Sequence, residues 1–277
     1  MRSLDILRQY DVVLCDIDGV LHNGRDGIVG VPALLEALRE SGPWVFFLTN
    51  NGSALPEHIA AWLGQMGLTI PVGSLVTAGE TLVDAFRERG LAGQNVLNVG
   101  NESSAEYIRR AGGVPIPDEQ ARRQYREARA VVIGSTYRLN KAVLDAACNA
   151  VYHAQVPVLC TNPDVFAPTT HGDISLVAGG IANLFERELG VAVERLGKPH
   201  RPIFDLALER VRQVVKHDNP RVLVIDDNME SGIKGGLAMG FDTLLVLSGW
   251  HRSRDEADRA IERAGVRPTY ILDSVVS

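Results

Sequence analysis

The stretch DVVLCDIDGVL, residues 11–21, runs from an apolar segment into two carboxylates, Asp16 and Asp18, and closes on Gly19. Side chains alternate faces along an extended chain, so aspartates spaced by one residue reach the same edge of the pleat, where a divalent cation or a phosphoryl group can sit. Asp and Gly are also ordinary turn residues, and an acidic turn ending a strand would produce the same pattern. The remainder of the chain separates the two readings.

The 277 residues are 45% hydrophobic and 22% charged, which is the composition of a soluble globular protein with room for one large domain or two moderate ones. The net charge is −6, with acidic and basic residues interleaved. That distribution argues against a nucleic-acid partner, so an anionic substrate has to be met by local groups. No apolar run approaches the roughly 18 residues of a membrane span, and Asp5 and Arg8 interrupt the first segment before a signal-type apolar core could form. No membrane partner is expected, and the expected location is cytoplasmic. Cys15, Cys148 and Cys160 are odd in number and form no C-x-x-C pair, which fits reduced, packed thiols.

Apolar runs alternate with amphipathic stretches throughout: VVLC, PALLEALRES, PWVFFLTN and PEHIAAWLGQMG, and later RVLVID, SGIKGGLAMG and DTLLVLSG. Short continuous apolar runs between helical patterns predict an α/β fold with a doubly wound, mostly parallel, Rossmann-like sheet. In such sheets ligands bind beyond the carboxyl ends of the strands. Asp16 with Asp18, Thr49 with Asn50, and Asp226 with Asp227 all stand where an apolar run gives out. The middle of the chain repeats strand and helix on its own account, from QNVLNVG to PVLCTNPD, and predicts an inserted α/β cap domain. The expected division is a discontinuous core of residues 1–87 and 191–277 around a cap of residues 88–190.

If this rim binds a phosphoryl group, Asp16 is suited to be the nucleophile, since a carboxylate can form an acyl phosphate and split one displacement into two. Asp18 can protonate the leaving oxygen and later take a proton from water. Acidic groups facing a phosphate require a cation, and hard oxygen ligands beside a phosphate favour Mg²⁺, with Asp227 as a further anchor. Thr49 offers a hydroxyl to the phosphoryl oxygens, and Lys198, in GKPH, a positive charge. Taken singly, Thr49 and Asn50 could end a strand, Lys198 could be a solvated loop residue, and Asp226 and Asp227 could cap the next helix. Their order along the chain, each in the matching strand context, favours the chemical reading. Seven scattered histidines show no metal-like pairing.

Asp16-Ile17-Asp18-Gly19-Val20, Leu48-Thr49-Asn50-Asn51, Gly197-Lys198-Pro199 and the Asp227 region resemble the four motifs of the haloacid dehalogenase-like phosphatases. The middle segment, with VVIGSTYRLN, CTNPDVFAP and AGGIANLFERELG, is similar to the large cap of the class IIA branch, the NagD or 4-nitrophenylphosphatase type. The resemblance implies that Asp16 is the nucleophile, Asp18 an acid/base and metal ligand, Thr49 and Asn50 phosphate contacts, Lys198 a charge stabiliser, and Asp16, Asp18 and Asp227 the Mg²⁺ site. It places Asn162 and Asp164 on the cap loop facing substrate. It further implies a small phosphate ester as substrate (sugar phosphate, nucleotide, phosphoglycolate or pyridoxal phosphate) and a homodimer formed through the cap.

The fourth motif departs from the family pattern of Gly-Asp followed five residues later by a second Asp. Here Asp226 replaces the Gly and Gly232 stands at the second acidic position. The metal register is therefore open between Asp227 and Asp226, with Glu230 a further contender, and loss of an outer carboxylate would loosen metal binding. A catalytically weak or inactive phospho-ligand-binding or regulatory protein of the same fold is the alternative function.

Overall fold

The computed structural model describes residues 3–24, 26–137, 139–169 and 173–277. In chain order the strands of its two principal sheets are Val12–Asp16 (β1), Trp44–Thr49 (β2), Leu75–Thr77 (β3), Asn95–Val99 (β4), Val114–Pro115 (β5), Ala130–Ile133 (β6), Val158–Cys160 (β7), Val193–Arg195 (β8), Val222–Asp226 (β9), Asp242–Val246 (β10) and Tyr270–Leu272 (β11). The first sheet has six strands in the order β11-β10-β9-β1-β2-β3, and the second has five in the order β8-β7-β6-β4-β5. Every pairing within these two sheets is parallel.

The continuous apolar character of β1 follows from cover on both faces. Val13 and Cys15 face one buried layer with Leu34, Leu38, Ile59 and Leu63, while Val12 and Leu14 face another with Ile203, Phe204, Ala207 and Val211. Helices 31–41 and 56–65 thus close one side and helix 201–214 the other. Strand order reverses at β1: the chain steps outward through β2 and β3, then returns on the opposite flank as β9. The crevice at that reversal is where parallel sheets bind ligands, and Asp16, Thr49 and Asp226 are the last residues of the three strands that border it.

The inserted unit differs from the sequence-based division at both ends. Leu82, Ala85 and Phe86, from helix 82–89, pack with Val96, Tyr107, Val132 and Leu159 of the second sheet's core rather than with the first. Val193–Arg195 is the edge strand of that second sheet. A boundary at 87/88 therefore cuts a helix, and one at 190/191 leaves out a strand. Amphipathic spacing marks a helix but not which of two cores receives its apolar face, and a three-residue edge strand carries almost no periodic signal.

The second unit docks on the loop that follows β2. Asn101 Nδ2 donates to Ser53 O at 2.7 Å, and Arg110 Nη2 to Glu57 Oε1 at 2.5 Å. The buried Tyr107 hydroxyl lies 2.8 Å from Thr77 Oγ1 and donates to Ala54 O at 2.7 Å. Removing that hydroxyl strands buried polar groups at the junction, so Tyr107→Phe should lower stability by about 1–2 kcal/mol, read as a reduced denaturation midpoint with an unchanged slope.

Candidate active site

Residue 16 is the register partner of Leu48 on β2, and Cys15 of Ile225 on β9, so three strand ends lie side by side. Lys198 arrives between them on the segment leaving β8. Its Nζ lies 2.7 Å from Asp16 Oδ1, 2.8 Å from Asp226 Oδ2 and 3.3 Å from Leu48 O. All three ammonium hydrogens are thereby engaged. Lys198 is only 2% exposed and Asp226 fully buried. Burial alone would lower the lysine's pKa, but Asp16 and Asp226 outweigh it and hold the ammonium well above its ordinary range.

Asp227 turns to the other side. Its Oδ2 accepts the Trp250 N–H at 2.5 Å, and it lies against Gly19 and Gly249. A Cβ at Gly19 would stand 2.1 Å from that oxygen, and one at Gly249 1.8 Å. Gly19 also has φ +77°, a left-handed conformation that excludes most side chains. Ser248 Oγ donates to Gly19 O at 2.7 Å, tying the loop after β10 to the turn after β1. Burial, then the neighbouring carboxylates, push the carboxyl groups of Asp16 and Asp227 well above their usual range.

One oxygen from each of Asp16, Asp226 and Asp227 falls within a 4.8 Å span, a hard-oxygen cluster in which Asp16 and Asp226 pair with the Lys198 ammonium and Asp227 does not. Such a donor set fits a divalent cation of the Mg²⁺ type. Glu230 is exposed and paired with Lys234 at 2.9 Å, outside this cluster. Asp18 lines the same cavity but points toward its rim: its side chain is 60% exposed, with Oδ1 3.3 Å from Nε2 of the buried His22. Thr49 Oγ1 accepts the Asn51 N–H at 3.0 Å, which orients the hydroxyl and leaves its proton to donate.

The Asn50 side chain is committed elsewhere. Its Oδ1 accepts the Lys198 N–H at 2.7 Å, and its Nδ2 donates to Lys198 O and Asp164 Oδ2, both at 3.0 Å. It therefore fastens Lys198 and joins the first sheet's rim to the loop after β7. In that loop Asn162 Oδ1 accepts the Asp164 N–H at 3.0 Å, turning the Asp164 carboxylate inward. Both residues line the cavity, of about 500 Å³. Sequence reading passed over His22 and Trp62, whose rings meet edge to face at 4.7 Å on its wall, and Trp250 and Arg252 beside Asp227. Histidine, tryptophan and arginine at these positions stand in no short motif, so only the packing brings them to the site.

Two family models match the chain: a haloacid dehalogenase-like hydrolase model over residues 13–113 and a HAD-hydrolase-like model over residues 195–277. The chain belongs to the haloacid dehalogenase-like hydrolases. It is 28% identical over 262 residues to a dihydroxyacetone phosphatase of Corynebacterium glutamicum, covering 95% of this chain and 88% of that one. Its fold superposes on a glycerol phosphate phosphatase of Mycobacterium tuberculosis in complex with magnesium, with TM-score 0.83 and 28% identity, over 98% of this chain and 76% of the other. It also superposes on NagD of Escherichia coli K-12, with TM-score 0.79 and 25% identity, over 97% and 98% of the two chains. The NagD-like resemblance read from the motifs agrees with these likenesses. Among the described residues no helix is long and apolar enough to cross a membrane.

Burial raises the pKa of Asp164 to about 6, against the opposing hydrogen bond from Asn50. A carboxyl whose folded pKa exceeds its unfolded value of about 3.9 contributes stability at low pH that is lost as pH rises through the folded value. Asp164→Asn, which keeps the shape without the charge, should therefore melt progressively higher than wild type as pH increases from about 4 to 7. Thermal scans of the two proteins across that range check it.

Proposed function

We propose that the protein is a Mg²⁺-dependent phosphatase that hydrolyses small phosphomonoesters through an aspartyl-phosphate on Asp16. The observation that carries this reading is Lys198, buried and bonded at once to Asp16 and Asp226 at the carboxyl edge where strand order reverses. A buried ammonium fixes the nucleophile in one orientation and offsets the negative charge that gathers when a phosphoryl group approaches. With its three hydrogens engaged, Lys198 acts as a fixed positive charge rather than as a mobile proton donor.

Asp16, Asp18 and Asp227 would hold the cation, which when bound supplies charge neutralisation for the phosphoryl oxygens. An Asp16 oxygen attacks phosphorus, and the bond to the leaving alcohol breaks as Asp18 delivers a proton to that oxygen. Asp18 then takes a proton from the water that cleaves the acyl phosphate, releasing inorganic phosphate and restoring Asp16. The exposed position of Asp18 at the cavity rim leaves it open first to the leaving oxygen and then to the incoming water. The Thr49 hydroxyl donates to a phosphoryl oxygen. Asn50 acts by keeping Lys198 in place.

The segment from about Gly79 to Leu196, which contains the second sheet, acts as the cap over this site. Asn162 and Asp164 on its loop, with Asn23 opposite, offer amide and carboxylate partners to hydroxyl groups. A short polyhydroxylated leaving group, as in triose, glycerol or sugar phosphates, matches that lining. The names of the dihydroxyacetone and glycerol phosphate phosphatases it resembles support the same substrate class.

Purified protein incubated with Mg²⁺ should release phosphate from 4-nitrophenyl phosphate and from a panel of glycerol, triose and hexose phosphates. Asp16→Asn should reduce kcat by about 10³-fold or more, and chelation of the cation should abolish turnover reversibly. Absence of hydrolysis across the whole panel in the presence of Mg²⁺ would overturn the reading.

A further inference from the structure

His22 is 2% exposed, and neither of its ring nitrogens has a hydrogen-bond partner among the described residues. A neutral imidazole has one donor and one acceptor, and stranding both in the interior costs stability. Packing does not require that cost: the ring meets Trp62 edge to face at 4.7 Å, a contact that a phenyl ring would make as well. Among the described residues the imidazole's one ion-pair neighbour is Asp18, whose Oδ1 stands 3.3 Å from Nε2. A small turn of the exposed carboxylate would align that approach as a hydrogen bond.

The backbone holds the two residues in register. The Gly19 N–H donates to His22 O at 2.9 Å, closing the turn between them, and His22–Asn23 then pairs with Asp26–Gly27 as a short antiparallel ladder. His22 is thus fixed by the turn and by Trp62. The Asp18 side chain, 60% exposed, has no other ion-pair partner among the described residues. A rim carboxylate without a partner spreads over several rotamers, and orientation lost in that way is lost to proton transfer.

We propose that His22 is the positioning residue for Asp18: its Nε2–H hydrogen-bonds Oδ1 and leaves Oδ2 to give a proton to the leaving alcohol and then to take one from water. One of the two stranded nitrogens is satisfied in this way, and histidine acts where an apolar ring would suffice for packing. The kinetic arm of the test rests on the proposed phosphatase activity, and the spectroscopic arm does not.

The kinetic arm compares leaving groups. The value of kcat/KM reports the steps up to departure of the alcohol; 4-nitrophenolate can depart without a proton, whereas the alkoxide of glycerol cannot. His22→Phe, which keeps a ring against Trp62, should therefore lose about 30-fold more in kcat/KM on glycerol phosphate than on 4-nitrophenyl phosphate, with KM little changed. A role in packing alone would lower both esters alike. His22→Gln, whose amide N–H can reach the same oxygen, should recover at least about tenfold of the loss on glycerol phosphate. In the spectroscopic arm, wild type carrying ¹⁵N-labelled histidine is observed by NMR at mildly alkaline pH, with the His22 signals assigned by their disappearance in His22→Phe. Nε2 should carry the proton, and Asp18→Asn should shift the Nε2 signal more than the Nδ1 signal. The inference fails if His22→Phe lowers both esters equally or neither, or if Nε2 of His22 carries no proton. If wild type hydrolyses no ester, the phosphatase reading falls while the spectrum still decides the pairing of His22 with Asp18.

Discussion

A single buried ammonium organises this site. Lys198 sits at the junction of the first sheet's edge and the segment returning from the second sheet, and its three hydrogens bond two carboxylates and a strand-end carbonyl. Isolated, any of these charges would be too costly to bury, and removing one partner would leave an uncompensated charge behind. The positions of Asp16, Leu48, Asn50 and Asp226 are therefore mutually dependent through the lysine, which lies just beyond β8, the edge strand of the second sheet.

The surplus of carboxylates over ammonium is what makes the site suited to a cation. Three acidic side chains cluster where one buried lysine pairs with two of them, and burial with like-charge crowding holds Asp16 and Asp227 above their normal pKa range. A dication relieves that repulsion in a way that a further buried lysine, with a long stem to accommodate, would not. The two glycines pressed on Asp227 leave room for the carboxylate and nothing more.

The two sheets meet through polar contacts concentrated on one short loop. Residues 50–57 receive Lys198 and Asp164 on one side and Asn101, Tyr107 and Arg110 on the other. Such contacts are directional and individually modest, which allows the second unit to be held in register over the site without merging its hydrophobic core with the first.

The alternation of apolar runs and amphipathic helices is enough to dictate parallel strands covered on both faces, and the spacing of Asp16, Asp18 and Gly19 is enough to place carboxylates at a strand end. These are local properties: period, turn chemistry and strand termination are all written in neighbouring residues. The motif order likewise made Thr49, Lys198 and Asp227 legible as one rim. Tertiary structure alone decided the rest. Helix 82–89 and strand β8 went to the second sheet because an apolar face does not specify its recipient, and Asn50 proved to hold Lys198 because its partners lie 148 residues away. The positions of Asp226 and Gly232 belong to the same category. Along the chain they read as a substituted glycine and a missing acid, but in space the Asp226 carboxylate occupies the volume that a side chain at Gly232 would need, because steric exclusion acts between atoms and not between sequence positions.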